Sequence, residues 1–149
     1  MTKEREVLNE FMESCFYSIL DSEKKALEPL AHGELTLKEI HLIDTVFKLK
    51  QIGQNNFSNV ANKLGITLGT LTTAFSKLER KGYLKKEQLL VDMRVYYIIP
   101  TPLAKKIHEE HTKWHERLID NVLNAVPEKD LQYFISAFKS LNELFKQKK

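Results

Sequence analysis

Along most of this chain apolar residues recur every three or four positions, and only one segment alternates, a pattern that predicts a mainly α protein with one small β-hairpin. From Val7 to Leu20 the apolar positions are Val7, Leu8, Phe11, Met12, Cys15, Phe16, Ile19 and Leu20, a broad stripe along one helix. A second helix opens at Thr36 with Glu39 three residues on, the spacing of a capping box, and runs to about Lys50. A third covers Phe57 to Leu64, with Asn56 as N-cap and Phe57, Val60, Ala61 and Leu64 on its buried side. Gly65 breaks it. Thr67 caps a fourth helix whose Leu68, Leu71, Ala74, Phe75 and Leu78 face inward, and Gly82 supplies a left-handed stop.

After Tyr83 come LKKEQ, a short loop and RVYYII, in which Val95, Tyr97 and Ile99 alternate with Tyr96 and Ile98. This predicts two strands with Asp92 and Arg94 at the tip. Thr101 and Pro102 then read as N-cap and first-turn proline of a long helix reaching Ala125. Pro127 starts a sixth, with Leu131, Phe134, Ile135, Phe138, Leu141, Leu144 and Phe145 inward. The order is that of a winged helix-turn-helix with six helices, dimerising through its N- and C-terminal helices. The predicted organisation is a single domain over 1–149, with 36–100 as the winged part and 1–35 and 101–149 as dimerisation helices.

Two short helices, a glycine turn and a hairpin point to DNA. The outward face of the fourth helix carries Thr67, Gly69, Thr70, Thr72, Thr73, Ser76, Lys77 and Arg80, small and polar enough to press into a major groove about 12 Å wide. A threonine there can donate, accept or offer a methyl to thymine. Ser58 and Asn59, at the start of the preceding helix, complete the candidate contact face. At the wing, Arg94 would enter the minor groove while Asp92 braces it. The plainer alternatives are an amphipathic surface helix and an exposed loop ion pair of little energetic value.

The outlying helices carry more apolar surface than one small winged domain needs. A two-fold dimer would absorb it and set two recognition helices about 34 Å apart on one DNA face, which matches a palindrome. The alternative is a monomer in which all these stripes close one core.

Composition narrows the class. The chain has 149 residues, 42% of them hydrophobic, enough for a real core, and a net charge of +3. Between residues 55 and 94 seven basic residues face three acidic ones, so that segment carries +4 and the remainder −1. The positive charge therefore lies on the proposed reading head, where counterion release from phosphates would favour it. No apolar run reaches membrane-spanning length, and MTKEREVLNEF lacks the pattern of a signal peptide, so the expected location is cytoplasmic, with no membrane partner. The single cysteine, Cys15, rules out an internal disulfide and fits a reducing compartment.

His108, His111 and His115 fall at i, i+3 and i+7 on the fifth helix, and His41 lies on the second. Neutral imidazoles suit zinc, so a metal sensor is an alternative. Glu109, Glu110 and Glu116 would equally leave these histidines as ordinary, partly exposed polar groups. Cys15 sits beside Phe11, Met12 and Phe16 with no lysine or arginine near in sequence to hold a thiolate, and so reads as a packed small hydrophobe rather than a redox switch. There is no phosphate-binding glycine loop, no HExxH and no nucleophile motif, so the chain does not read as an enzyme, and no cofactor is implied. A winged helix that binds only protein is the remaining alternative.

LERKGYL at the end of the recognition helix and DMR in the wing, within this order of elements, resemble the MarR family of bacterial transcription regulators over essentially the whole chain. Within it, TLGTLTTAFSKLERKGYL, LKEIHLIDTV and IHEEHTKWH are most similar to the branch that represses fatty-acid synthesis genes in low-GC Gram-positive bacteria. The resemblance implies a homodimer on a palindromic operator and long-chain acyl-acyl carrier protein as corepressor. It also implies that zinc sensors place ligands in the same two helices and that peroxide sensors use a first-helix cysteine. Three departures stand out. Many members carry an arginine near Thr73, relatives usually show charged residues where this wing reads LLV before Asp92, and Ala104 replaces a common glycine.

Overall fold

The computed structural model describes residues 2–146 and divides into two compact units, one up to Thr112 and the other from Lys113 onward. Helices dominate. The first unit opens with α1 (Lys3–Glu10), a π-helical turn (Phe11–Cys15) and α2 (Phe16–Ala31), which follow one another without leaving helical backbone angles. Then come α3 (Leu37–Lys50), α4 (Phe57–Leu64), α5 (Leu68–Arg80), the strands β1 (Leu84–Gln88) and β2 (Tyr96–Pro100), and α6 (Pro102–Ala125). The unit boundary falls within α6. The second unit adds a 3-10 turn (Glu128–Asp130) and α7 (Leu131–Lys146). With α1, the π turn and α2 counted as one rod, the described residues form six helices and one hairpin, the expected architecture.

Local chemistry explains the boundaries. Thr36 accepts the Glu39 amide at 3.2 Å while the Glu39 carboxylate accepts the Thr36 amide at 2.9 Å, a complete capping box. The Asn56 carboxamide accepts the Asn59 amide, and Thr67 Oγ1 accepts the Thr70 amide. Each cap stabilises its helix by about 1 kcal/mol. Gly65 (φ 68°) and Gly82 (φ 83°) end α4 and α5 in left-handed geometry that a side chain would strain. Thr101 Oγ1 caps α6 by accepting the Ala104 amide at 3.4 Å.

The first rod departs from the sequence reading by running past Leu20 to Ala31. Its last turns bring Glu23, Leu27 and Ala31 inward, where Leu27 and Ala31 join Ile40, Ile43, Val46, Val60, Leu71, Phe75, Leu78, Leu84, Ile98, Ala104 and Ile107 in one core. Pro29 is tolerated in the final turn. Leu68 is a second correction. Expected inward, it is 52% exposed, because the first turn of α5 extends beyond the core that Leu71, Phe75 and Leu78 reach.

The hairpin is antiparallel with Leu84 opposite Pro100 and Gln88 opposite Tyr96, so the second strand begins at Tyr96. It is fastened to the entry of α4 by the buried Asn55, whose carbonyl accepts the Ile98 amide at 2.8 Å and whose side chain donates to the Ile98 carbonyl at 2.9 Å. These two bonds tie the second strand of the wing to the entry of the helix-turn-helix.

In the second unit, α7 carries Leu131 and Phe134 half-buried, while Ile135, Phe138, Leu141, Leu144 and Phe145, expected inward, are exposed. The stripe itself is as predicted. Val7, Leu8, Phe11, Met12 and Phe16 are likewise exposed, and Cys15 is half-buried.

Candidate nucleic-acid interface

Helix α5, the expected recognition helix, buries Leu71, Phe75 and Leu78 and turns the opposite side to solvent. Thr67, Gly69, Thr70, Thr72, Thr73, Ser76 and Lys77 are all exposed, as is Ser58 on α4, with Asn59 half-buried. The hydroxyls are ordered by their own helix. Thr72 Oγ1 donates to the Leu68 carbonyl at 2.8 Å, Thr73 Oγ1 to the Gly69 carbonyl at 3.1 Å, and Ser76 Oγ to the Thr72 carbonyl at 2.9 Å. With their protons spent inward, these three present oxygen lone pairs and, for the threonines, methyl groups. Thr70 differs: its oxygen accepts the Thr67 hydroxyl at 2.9 Å, which leaves its own proton for an outside acceptor. The face thus offers an acceptor set beside a donor.

Asp92 and Arg94 do meet at the wing tip. Asp92 Oδ1 accepts both the Arg94 amide and Nε at 3.1 Å, and Oδ2 accepts Nη2 at 3.3 Å. Those Arg94 bonds hold the Asp92 carboxyl below its usual range. The guanidinium side chain is 91% exposed, so its orientation is set while its outer edge stays open to solvent. Ser58, Asn59 and Arg94 open on one cleft of about 180 Å³ between the start of α4 and the base of the wing, with Asn56 and Tyr96 also lining it.

The histidines fall into a different arrangement. Glu23 Oε1 touches His41 Nε2 at 2.7 Å and His111 Nε2 at 2.6 Å, and Asp44 Oδ1 touches His108 Nδ1 at 2.5 Å and lies 3.5 Å from His111 Nδ1. His41 and His111 therefore come together, while His108 turns to Asp44 and stacks on Phe47 with ring centroids 4.3 Å apart. His115 lies in the second unit, edge-on to Trp114. Burial pulls the Asp44 carboxyl upward, but hydrogen bonds from His111, Lys48 and His108 outweigh it and leave it well below the ordinary value. Burial likewise depresses His111, and the Asp44 and Glu23 carboxylates overturn this and raise it.

Glu23 and Asp44 are not among the acids that the sequence suggests as histidine neighbours, which are Glu109, Glu110 and Glu116. The available signal is an acid on an apolar stripe: Glu23 precedes Leu27 and Ala31 at four-residue steps, and Asp44 follows Ile40 by the same step.

Comparison with known proteins agrees with this geometry. A model described as the MarR family matches residues 32–96, which takes in α3, the helix-turn-helix and the wing up to the start of β2. Streptococcus pneumoniae FabT, solved in complex with DNA, is 27% identical and superposes with a TM-score of 0.84, covering 97% of this chain and 99% of that one. The Staphylococcus aureus MepR–DNA complex shares the fold at 17% identity, with a TM-score of 0.68 over 92% of this chain and 97% of that one. An uncharacterized HTH-type transcriptional regulator of Bacillus subtilis strain 168, YhjH, is 30% identical over 108 residues, 70% of this chain. The match spans 59% of the length of that relative. Its winged core, residues 32–96, matches the MarR family model, and along nearly its whole length the chain is similar in fold to FabT.

Proposed function

We propose that this protein is a transcriptional repressor that binds a palindromic operator as a homodimer, controls fatty-acid synthesis genes and takes long-chain acyl-acyl carrier protein as corepressor. The observation that carries the DNA-binding part is the α5 face, exposed along its length, with its hydroxyls held in defined hydrogen-bonding roles. A duplex entering along that face would meet Lys77 and Arg80 at its phosphates, and the cleft lined by Ser58, Asn59 and Arg94 would accept a backbone phosphate beside the wing.

The dimer rests on the apolar faces of the first rod and of α7, each uncovered in the single chain. The fatty-acid assignment rests on the likeness to FabT and on the three segments quoted above. No helix among the described residues is long and apolar enough to cross a membrane, in keeping with a role on cytoplasmic DNA.

Gel-shift titration of promoter fragments at several salt concentrations, with acylated or unacylated carrier protein, tests this reading. A salt-dependent, sequence-selective shift tightened by the acylated form alone is the expected result. Selective binding indifferent to acylation would remove the corepressor, and no selective shift under any condition would return the fold to protein binding.

A further inference from the structure

We infer that the wing tip is an apolar wedge that enters the minor groove of duplex DNA and selects a base step that unstacks easily. This rests on the DNA-binding reading above and adds to it a second, shape-dependent source of specificity.

The tip, residues 89–95, exposes Leu90 at 90%, Val91 at 93% and Met93 at 62%. It is nevertheless well fastened. The Leu89 amide donates to the Val95 carbonyl at 2.8 Å, the Val95 amide to the Asp92 carbonyl at 3.0 Å, and Gln88 Nε2 to the Met93 carbonyl at 2.6 Å. An ordered loop that holds consecutive apolar side chains in water sacrifices hydration free energy that a partner would recover.

Charge identifies the partner. Arg94 adjoins the apolar residues with its side chain 91% exposed and aimed by Asp92, and Lys85 and Lys86 are exposed on the strand behind. An apolar point with a cationic rim complements a groove whose walls are phosphates and whose floor is stacked bases. The Asn55 bonds to Ile98 fix the hairpin to the helix-turn-helix, so α5 in the major groove would carry the tip to the groove alongside. Leucine-sized wedges pry base steps apart, and pyrimidine–purine steps yield most readily while A-tracts resist.

The test uses the full chain and an operator found by gel shift, with each base step of a half-site changed in turn between TA and AA. Wild-type protein is expected to favour TA at one wing-facing step by about tenfold, and 2-aminopurine placed there brightens on binding. The double variant Leu90→Ser, Val91→Ser is expected to lose both the preference and the fluorescence change while keeping the salt dependence of wild type, since it leaves every cationic side chain in place. Leu90→Met should retain the preference. A wild type that binds the operator but shows no step preference, or a double variant that keeps it, overturns the wedge and leaves the DNA-binding reading intact. A wild type that binds no duplex overturns both.

Discussion

Glu23 Oε1 lies 2.6 Å from His111 Nε2, and with side-chain exposures of 4% and 2% the two groups are withdrawn from water together. They join the later turns of the first rod to α6, and the same Glu23 oxygen also meets His41 of α3 at 2.7 Å. A buried pair of this kind adds little beyond what an apolar pair would, but removing one partner strands the other. Glu23→Ala is therefore expected to lower unfolding free energy by about 3 to 5 kcal/mol. Glu23→Gln, which can still hydrogen-bond to an imidazole, should cost less. Urea unfolding at fixed protomer concentration measures both.

The same cluster makes stability depend on pH in a definite direction. His111 titrates above its ordinary 6.5, so its contribution is complete below 6.5 and fades as pH rises through the folded value. Asp44 titrates below its ordinary 3.8, so its contribution is present above 3.8 and is lost as pH falls through the folded value. Between those limits both contribute. Thermal unfolding from about pH 5 to pH 9 should show a midpoint that declines on the alkaline side. His111→Gln should flatten that decline, and an unchanged slope would assign it to other groups.

The hydroxyl pattern on α5 separates two ways of reading a base. With its proton given to the Gly69 carbonyl, Thr73 can accept from adenine N6 or cytosine N4, or set its methyl against thymine. Thr73→Val keeps the methyl and removes the acceptor, whereas Thr73→Ser does the reverse. If acceptance dominates, Val costs about 1 to 3 kcal/mol on the preferred operator and Ser costs little. The opposite ranking would make the contact apolar. Thr70→Ala should relax preference at an acceptor-bearing base, and equal loss on every sequence would exclude direct readout by that residue.

At the wing, Arg94→Ala is expected to lower the magnitude of the salt slope of operator binding by about 1, as expected when one phosphate is no longer neutralised. Arg94→Lys should restore the slope without the full affinity. A lysine keeps the charge but cannot engage both Asp92 oxygens as the guanidinium does. Titrations over a wide range of salt concentrations distinguish the two variants.

What is legible in the chain follows from the range of the interactions concerned. Asn56, Thr67, the Thr36–Glu39 box, Gly65 and Gly82 act within three or four residues, so the sequence displays both donor and acceptor and the helix limits emerge correctly. The outward threonines are equally visible, since their exposure follows from the periodicity of Leu71, Phe75 and Leu78. The carboxylate partners of the histidines are not. Glu23 and His111 are 88 positions apart and Asp44 and His108 are 64 apart, and only the packing of α2, α3 and α6 makes them neighbours. Leu68 shows the limit of periodicity in another way, because a stripe says which side is apolar but not how far along the helix the core extends. The first rod outruns its apolar stripe because the charged run after Leu20 hides a buried face that only Glu23, Leu27 and Ala31 mark.

The proposed dimer makes the last prediction. Phe16 is 59% and Phe138 45% exposed, each within a run of apolar neighbours on its own helix. Full burial of a phenylalanine stabilises an interface by about 1.5 to 3 kcal/mol, and a charge in its place reverses the sign. If a second copy covers these faces, Phe16→Glu and Phe138→Glu should each shift sedimentation from twice 17.4 kDa toward the single-chain mass. Because α5 and the wing are untouched, the variants should retain weak, salt-dependent binding to a half-site while losing the gain in affinity that a full palindrome gives. Variants that become monomeric yet bind the palindrome as wild type does would show that the two reading heads do not depend on these helices for their spacing.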